Sequence, residues 1–335
     1  MGVHRRLGMM GRWIGAIAWG SSAALLGTLA GATPALATPQ VTEFRVPAPG
    51  GASTGIAVGS DGAVWFTEFT NDSVGRLKGG AFSIFPLPTS GLPDSIVAGP
   101  DGALWATDAA NSLIWRITTT GHVTSFAIPP CTGCAYSGGS GTGNIITGPD
   151  GALWYSRPGN EAIGRITTTG DVHEFPVSGA ASYPGWITTG PDGAIWFTVS
   201  DGIARMTTEG TVSQVLTGFN YPSSITTGPD GNLWFTGFYQ DEVGRLTPSG
   251  SAKLFPLATS TCAPQQIASG AGALWVTCSE SDFVYRVTTL GRHTAIGVPS
   301  HVPNYPDDLY AIVGAPNGAV WFTEEAAARV GRITT

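Results

Sequence analysis

Charge is scarce in this chain. Asp, Glu, Lys and Arg make up only 12% of its 335 residues, and their formal balance is −7. So thin and acidic a distribution disfavours nucleic acid and anionic membrane surfaces as partners. Histidines number five and cysteines four, with no HxxxH or similar spacing to mark a histidine-rich metal centre. The Gly-x-Ser-x-Gly elbow of one large hydrolase class is also missing. Past the first 37 residues, no apolar run is long enough to span a bilayer.

Those first residues read as an export signal. His4-Arg5-Arg6 and Arg12 give a basic start, Trp13 to Ala32 is apolar, and Ala35-Leu36-Ala37 offers a small-residue cleavage site before Thr38. Residues 1–37 are therefore expected to be a signal peptide and 38–335 the functional domain. Its removal takes Arg5, Arg6 and Arg12 away and shifts the formal charge to −10. The expected location is outside the cytoplasm, either secreted or periplasmic and envelope-associated. Nothing in the sequence requires a dimer, and a monomer is expected.

Glycine, by contrast, is abundant at 48 residues, and tryptophan at 11. Seven of the tryptophans (Trp65, Trp105, Trp154, Trp196, Trp234, Trp275 and Trp321) recur at gaps of 40, 49, 42, 38, 41 and 46 residues. A period near 40 with short strands and Gly-rich turns is the pattern of a β-propeller with one four-stranded blade per repeat. One copy shows the grammar. Ile225-Thr-Thr is a strand, Gly228-Pro-Asp-Gly a tight turn, and Leu233-Trp-Phe-Thr a second strand. Val243-Gly-Arg-Leu-Thr and Ala252-Lys-Leu-Phe-Pro follow as the third and fourth. The last repeat reaches Ile333-Thr-Thr without a fourth strand. Val41-Thr-Glu-Phe-Arg-Val-Pro matches the fourth strand Val172-His-Glu-Phe-Pro-Val. The expected fold is thus all-β: a seven-bladed propeller of antiparallel blades, with residues 41–47 completing the last blade and closing the ring.

Most of the repeated residues belong to the scaffold. The tryptophan is expected to pack between blades, and the arginine of each third strand to serve as a structural hydrogen-bonding group. Function is sought where the repeats differ. Three residues after each tryptophan stand Glu68, Asp108, Arg157, Val199, Gly237, Cys278 and Glu324. Two residues before each first-strand Ile stand Thr54, Asp94, Gly143, Gly185, Ser223, Gln265 and Tyr310. With Asp307, Asp308 and Glu325 they suggest an acidic mouth on blades seven, one and two. Converging carboxylates suit Mg²⁺ or Ca²⁺ through oxygen, although the sequence fixes no cofactor. Among the histidines, only His301, in a loop before blade seven, could approach this mouth. The expected partner is a small molecule or a protein.

Four cysteines allow three pairings. Cys262 and Cys278 flank neighbouring antiparallel strands and can reach one another. Cys131 and Cys134 suit a small loop-closing disulfide, with a CxxC redox or zinc role as the alternative.

The recurring Gly-Pro-Asp-Gly-Ala-Leu-Trp and Ile-Gly-Arg-Ile-Thr-Thr-Thr-Gly texts resemble the streptogramin B lyase (virginiamycin B lyase) family over about residues 40–335. The resemblance implies a seven-bladed propeller. It also implies a magnesium-assisted elimination that opens a cyclic depsipeptide antibiotic at its ester bond. The family's working groups are a histidine in a Pro-His-x-Ile loop and a Glu-Pro-His loop opening the last blade. Here the first histidine falls on Gln265 in Pro264-Gln-Gln-Ile. The glutamate falls on Asp308 and the second histidine on Tyr310. A metal-side carboxylate falls on Glu325. Both histidines are replaced while the acids are kept in type. Two functions follow as expectations. One is a binding propeller without the catalytic pair. The other is an enzyme at the same face: a lyase using Asp308 and Tyr310, or a lactonase-like hydrolase using Glu68, Asp108, Asp308 and Glu324.

Overall fold

Each Gly-Pro-Asp-Gly text bends the chain between two strands. In the fifth repeat the turn residue Gly231 adopts φ 70°, a backbone state that a side chain would strain. A computed structural model describes residues 38–47, 51–130, 142–219, 221–257, 262–301 and 306–335. Thr38–Thr335 is one compact unit. It contains seven four-stranded antiparallel sheets, one per repeat. Within each, strands a to d run outward from the centre. In blade one these are Ile56–Val58, Val64–Glu68, Ser73–Lys78 and Ala81–Pro86. The seven a strands contact their neighbours in a closed cycle and line a central channel.

Blade seven takes Leu309–Gly314, Val320–Glu324 and Arg329–Thr334 from the end of the chain and Gln40–Arg45 from its start. The two ends pair in register from Gln40 with Thr334 to Arg45 with Arg329. Closure extends beyond the ladder. Val46, directly after this d strand, is 3% exposed, and its N–H donates to Ala328 O at 3.0 Å. Leu87, Val177 and Leu257 occupy the same place in other blades, each buried and each bonded to the carbonyl before its c strand. The N-terminal strand is therefore a full d strand.

The tryptophans pack as expected, between blades. Trp65, with no exposed surface, lies against Ile96, Leu104 and Ala106 of blade two and stacks on Phe85 of its own d strand. Trp105, Trp154 and Trp234 stack on Phe126, Phe175 and Phe255 in the same way. The turn aspartate ties this layer together. Asp101 Oδ1 accepts from Trp105 Nε1 at 3.0 Å, and its Oδ2 accepts from Arg116 Nε at 2.6 Å. Asp61, Asp150 and Asp192 repeat this with Arg76, Arg165 and Arg205. In those blades the third-strand arginine is a structural group within its own blade. The Gly of each Val-Gly-Arg text is also scaffold: a Cβ at Gly75 would overlap the ring of Phe66 on the neighbouring strand.

Cys262 and Cys278 form a disulfide with Cα atoms 4.7 Å apart. The Cys131–Cys134 pair and residues 1–37 lie outside the described residues. Among the described residues, no helix is long and apolar enough to cross a membrane.

Candidate functional site

The mouth residues are held by a hydroxyl two positions after each tryptophan. Thr67, Thr107, Ser156, Thr198, Thr236, Thr277 and Thr323 each accept the backbone N–H of the residue preceding their own blade's first-strand Ile. Some of them also donate across the blade boundary. Thr67 reaches Asp94 O at 2.7 Å and Thr277 reaches Tyr310 O at 2.6 Å. The backbones at Asp94 and Tyr310 are thereby fixed by the preceding blade.

At blade seven, two backbone bonds draw the second-strand end onto the loop leading into the blade. Glu325 N–H donates to Asp308 O at 3.1 Å, and Ala326 N–H to Asp307 O at 3.2 Å. Asp308 sits at φ 55°, a left-handed state that Asp tolerates better than most residues. The result is a mouth cluster of Asp94, Asp308, Tyr310 and Glu325, all half-buried. Burial, only partly countered by the Thr54 hydroxyl, pushes the Asp94 carboxyl up to about 6. Burial also raises Asp308, and it raises Glu325 with the charges of Asp308 and Asp94 added. The Tyr310 phenol moves well above its ordinary value through burial, then through Asp94, Glu325 and Asp308. Tyr310 is thus a protonated donor at neutral pH. Gln265 is half-buried at the equivalent place in blade six.

The residues that end the second strands are placed differently from expectation. Glu68, Asp108, Arg157 and Glu324 are at most 1% exposed, so they do not present charge to solvent at the mouth. Glu68 accepts from Gly51 N and from the Ser53 hydroxyl. Asp108 caps the next turn, taking Ala110 N and Asn111 N together with Trp115 Nε1. Arg157 pairs with Glu174 of its outer strand at 2.6 Å. Three of the four groups of the lactonase-like set are therefore enclosed within blades.

Glu324 differs from the others. It is fully buried, and among the described residues neither carboxylate oxygen has a hydrogen-bond partner. Burial, then Glu43 and Asp307, push it up to about 8, while Arg329 pulls it down. His301 stands beside it, with Nδ1 3.0 Å from Asp307 Oδ2 and Nε2 3.2 Å from Glu43 Oε2. Because Glu43 lies on the outermost strand, this ties His301 to the outer part of blade seven rather than to the mouth. The other described histidines stand elsewhere: His122 in the turn between strands c and d of blade two, His173 and His293 on d strands.

The channel itself encloses a cavity of about 190 Å³. Its wall includes a polar belt one residue inside the mouth: Ser95, Asn144, Ser224 and Gln266. Asn144 Oδ1 accepts Ile187 N–H at 3.2 Å, and Gln266 Oε1 accepts Ile312 N–H at 3.2 Å, linking blade to blade. Trp186 occupies the same position in blade four and also lines the channel. Nearby loops of blades four and five carry Tyr183, Tyr221 and Tyr239, exposed by 61%, 57% and 71%. The belt went unread in the sequence, although it stands where the repeats differ, immediately before the first-strand Ile.

The geometry has relatives. Compared by sequence with curated proteins, the chain has no match. Among solved structures, it is similar to virginiamycin B lyase from Staphylococcus aureus, with 27% identity and a TM-score of 0.79 over 89% of this chain and all of that one. It is equally similar to a catalytically inactive histidine-to-alanine variant of that lyase with quinupristin, at 27% identity and TM-score 0.79. A streptogramin B lyase structure follows at 25% identity and TM-score 0.78, covering 88% of this chain and 97% of that one. The model of the virginiamycin B lyase family matches residues 34–138 and 135–335, so this chain belongs to that family.

Proposed function

We propose that this chain is an exported propeller that binds a ligand, together with a divalent cation, at the mouth formed by Asp94, Asp308, Tyr310 and Glu325, without opening streptogramin antibiotics. One observation carries the reading: Gln265 and Tyr310 stand where the resemblance places the family's two histidines, and His301 is engaged elsewhere. A histidine matters in the relative, whose His-to-Ala variant is catalytically inactive. Gln265 has no useful basicity, and Tyr310 keeps its proton because its phenol is raised rather than lowered.

The cation fits the donors present. Three carboxylates that raise one another or Tyr310 electrostatically form a hard oxygen set of the kind Mg²⁺ and Ca²⁺ take. Glu325 and Asp308 would hold the ion, which would supply positive charge to polarise a carbonyl or anchor a ligand oxygen. Across the channel, the Tyr183, Tyr221 and Tyr239 edge offers apolar contact, so the ligand favoured is neutral or cationic with a flat or apolar part. The Cys262–Cys278 disulfide supports an oxidising location outside the cytoplasm.

A second reading rests on Asp94, whose rise to about 6 brings it toward the range of a general base, with Tyr310 as a nearby proton donor. Such a pair would serve an elimination. Incubating the purified protein with a streptogramin B depsipeptide, with Mg²⁺ and then with chelator, separates the two. The binding reading expects no ring opening at enzyme excess, and a Mg²⁺ affinity reduced by Glu325→Gln and Asp308→Asn. Rapid opening without mass change, lost in Asp94→Asn and Tyr310→Phe, would establish the lyase instead.

A further inference from the structure

Blade seven holds a second cluster, on a different side of the same chain segment from the mouth. The adjacent pairs Asp307-Asp308 and Glu324-Glu325 are divided between the two. Asp308 and Glu325 belong to the mouth, whereas Asp307 and Glu324 are both fully buried beside His301. One ligand atom each from Glu43, His301 and Glu324 lies within 4.8 Å of the others. Independently of that proximity, Glu324 has no exposed surface and no hydrogen-bond partner for either oxygen, and Glu43 Oε1 is likewise buried without one. Glu324 is a fully buried carboxylate without a donor, and the half-buried Glu43 beside it has one oxygen against His301 and one without a partner, an arrangement that is costly unless a proton or a cation neutralises it.

Blade three shows what the position ordinarily contains. Glu174 is the sequence counterpart of Glu43, each lying opposite the glycine of its c strand. Arg157 is the counterpart of Glu324, and there the pair is a salt bridge of 2.6 Å. Blade seven keeps the outer glutamate but replaces the arginine with a second acid, so one positive charge is missing. Arg329 lies within electrostatic reach of both acids but makes no ion pair among the described residues. Against Glu43, Glu324 and Asp307, with Asp282 nearby, one guanidinium leaves the site short of positive charge.

We propose that Glu43, His301 and Glu324 bind a divalent transition-metal ion of the zinc class inside blade seven, distinct from any cation at the mouth. One imidazole with two carboxylates is a mixed nitrogen and oxygen set that suits zinc better than magnesium. Zinc bonds of about 2.1 Å arranged tetrahedrally place ligand atoms about 3.4 Å apart. His301 Nε2 and Glu43 Oε2 already stand at 3.2 Å. The opposite ring nitrogen, Nδ1, meets Asp307 Oδ2 at 3.0 Å, and Asp307 also takes the His301 backbone N–H. Asp307 is thus a positioning residue for the imidazole: with its carboxylate on Nδ1, Nε2 is the nitrogen left for a metal, and Glu324 Oε2, which stands 3.9 Å from Nδ1, would shift toward Nε2 on binding. Asp282 accepts the Asp307 N–H at 2.8 Å and supports it in turn.

The test is a Zn²⁺ titration of the purified, chelator-stripped full chain by calorimetry, with Co²⁺ absorption and Cu²⁺ paramagnetic resonance as spectroscopic probes. One Zn²⁺ per chain is expected, with a four- or five-coordinate Co²⁺ spectrum and coupling from a single imidazole nitrogen in the Cu²⁺ form. Glu324→Gln and His301→Ala should each weaken binding at least tenfold, and Asp307→Asn by about 10- to 100-fold, the usual cost of losing the carboxylate behind a metal-bound imidazole. Glu325→Gln should leave Zn²⁺ affinity within about threefold. No binding by the parent chain, or a Cu²⁺ signal without nitrogen coupling, overturns the proposal even if no variant folds. So does binding that survives His301→Ala but is lost in Glu325→Gln, since that places the ion at the mouth.

Discussion

Val46 offers a like-for-like test of ring closure. It is 3% exposed, and so is Val177, the residue at the same place after the d strand of blade three. Val177 is reached by continuous chain within its blade, whereas Val46 is brought to blade seven from the opposite end of the sequence. Val46 packs with Ile56, Phe66 and Leu77 of blade one and with Val330 of blade seven, so it spans the seam where the ring joins. Val→Ala removes two buried methyl-sized groups. At about 0.8 kcal/mol for each, plus a cavity contribution in a core that relaxes only partly, the loss is about 2–3 kcal/mol. A domain of this size should then melt about 3–5 °C lower. Thermal unfolding followed by tryptophan fluorescence should show equal drops for Val46→Ala and Val177→Ala. Deleting residues 38–48 should lower the midpoint further, because Arg329–Thr334 becomes a bare sheet edge prone to association. A Val46→Ala midpoint within 1 °C of the parent, beside a clear drop for Val177→Ala, would refute the idea that the N-terminal strand shares fully in the fold.

Two further tests address the scaffold. Asp101→Ala removes the acceptor of both Trp105 Nε1 and Arg116 Nε, and the buried indole N–H left behind should cost about 1–3 kcal/mol, read as a lower urea midpoint. Although burial alone would raise Asp61, Asp101, Asp150, Asp192 and Asp230, their bonds from indole and neighbouring donors, with arginine in the first four, hold them below the usual value. Their stabilisation is therefore complete above the unfolded carboxyl value and lost as pH falls through the folded ones. Unfolding midpoints measured from pH 7 down to pH 2 should drop at the acid end, and less steeply in Asp101→Asn. Reducing Cys262–Cys278, which closes a loop of sequence separation 16, should cost about 3 kcal/mol, checked by melting with and without reductant against the Cys262→Ala/Cys278→Ala pair.

The fold was legible because its signals are local and repeated seven times. Proline and glycine set each turn, branched and aromatic residues set each strand, and the match of residues 41–47 to residues 172–177 marked the closing strand. The positions of Asp94, Asp308, Tyr310 and Glu325, which the structure brings together, and of Gln265 in blade six follow from their distance from the first-strand Ile or from the tryptophan. Position along the strand was not enough for Glu68, Asp108, Arg157 and Glu324. Counting three residues past the tryptophan located the correct end of the strand but not the side on which the residue points. Alternation decides that. Trp65 and Thr67 face blade two, where Thr67 reaches Asp94 O, whereas Phe66 and Glu68 face back toward the seam with blade seven. Glu43 was invisible as a site residue for a different reason: its neighbours Glu324 and His301 are more than 250 residues away in sequence and meet it only once the ring closes.

The last residue of the second strand therefore deserves to be read as a blade's private polar position rather than as part of a shared rim. It is enclosed in every blade where it carries charge, so each blade must neutralise what it places there. Blade one uses backbone and hydroxyl donors for Glu68, blade two uses a turn and an indole for Asp108, and blade three uses Glu174 for Arg157. Blade six avoids the problem with the half-disulfide Cys278, and blades four and five with Val199 and Gly237. Only Glu324 is left without hydrogen-bond donors among these charged positions. The scaffold solves the same electrostatic problem three times with its own donors and charges, so blade seven, where Glu324 must hold a proton or take a cation instead, is the one where an external cation has a physical reason to bind.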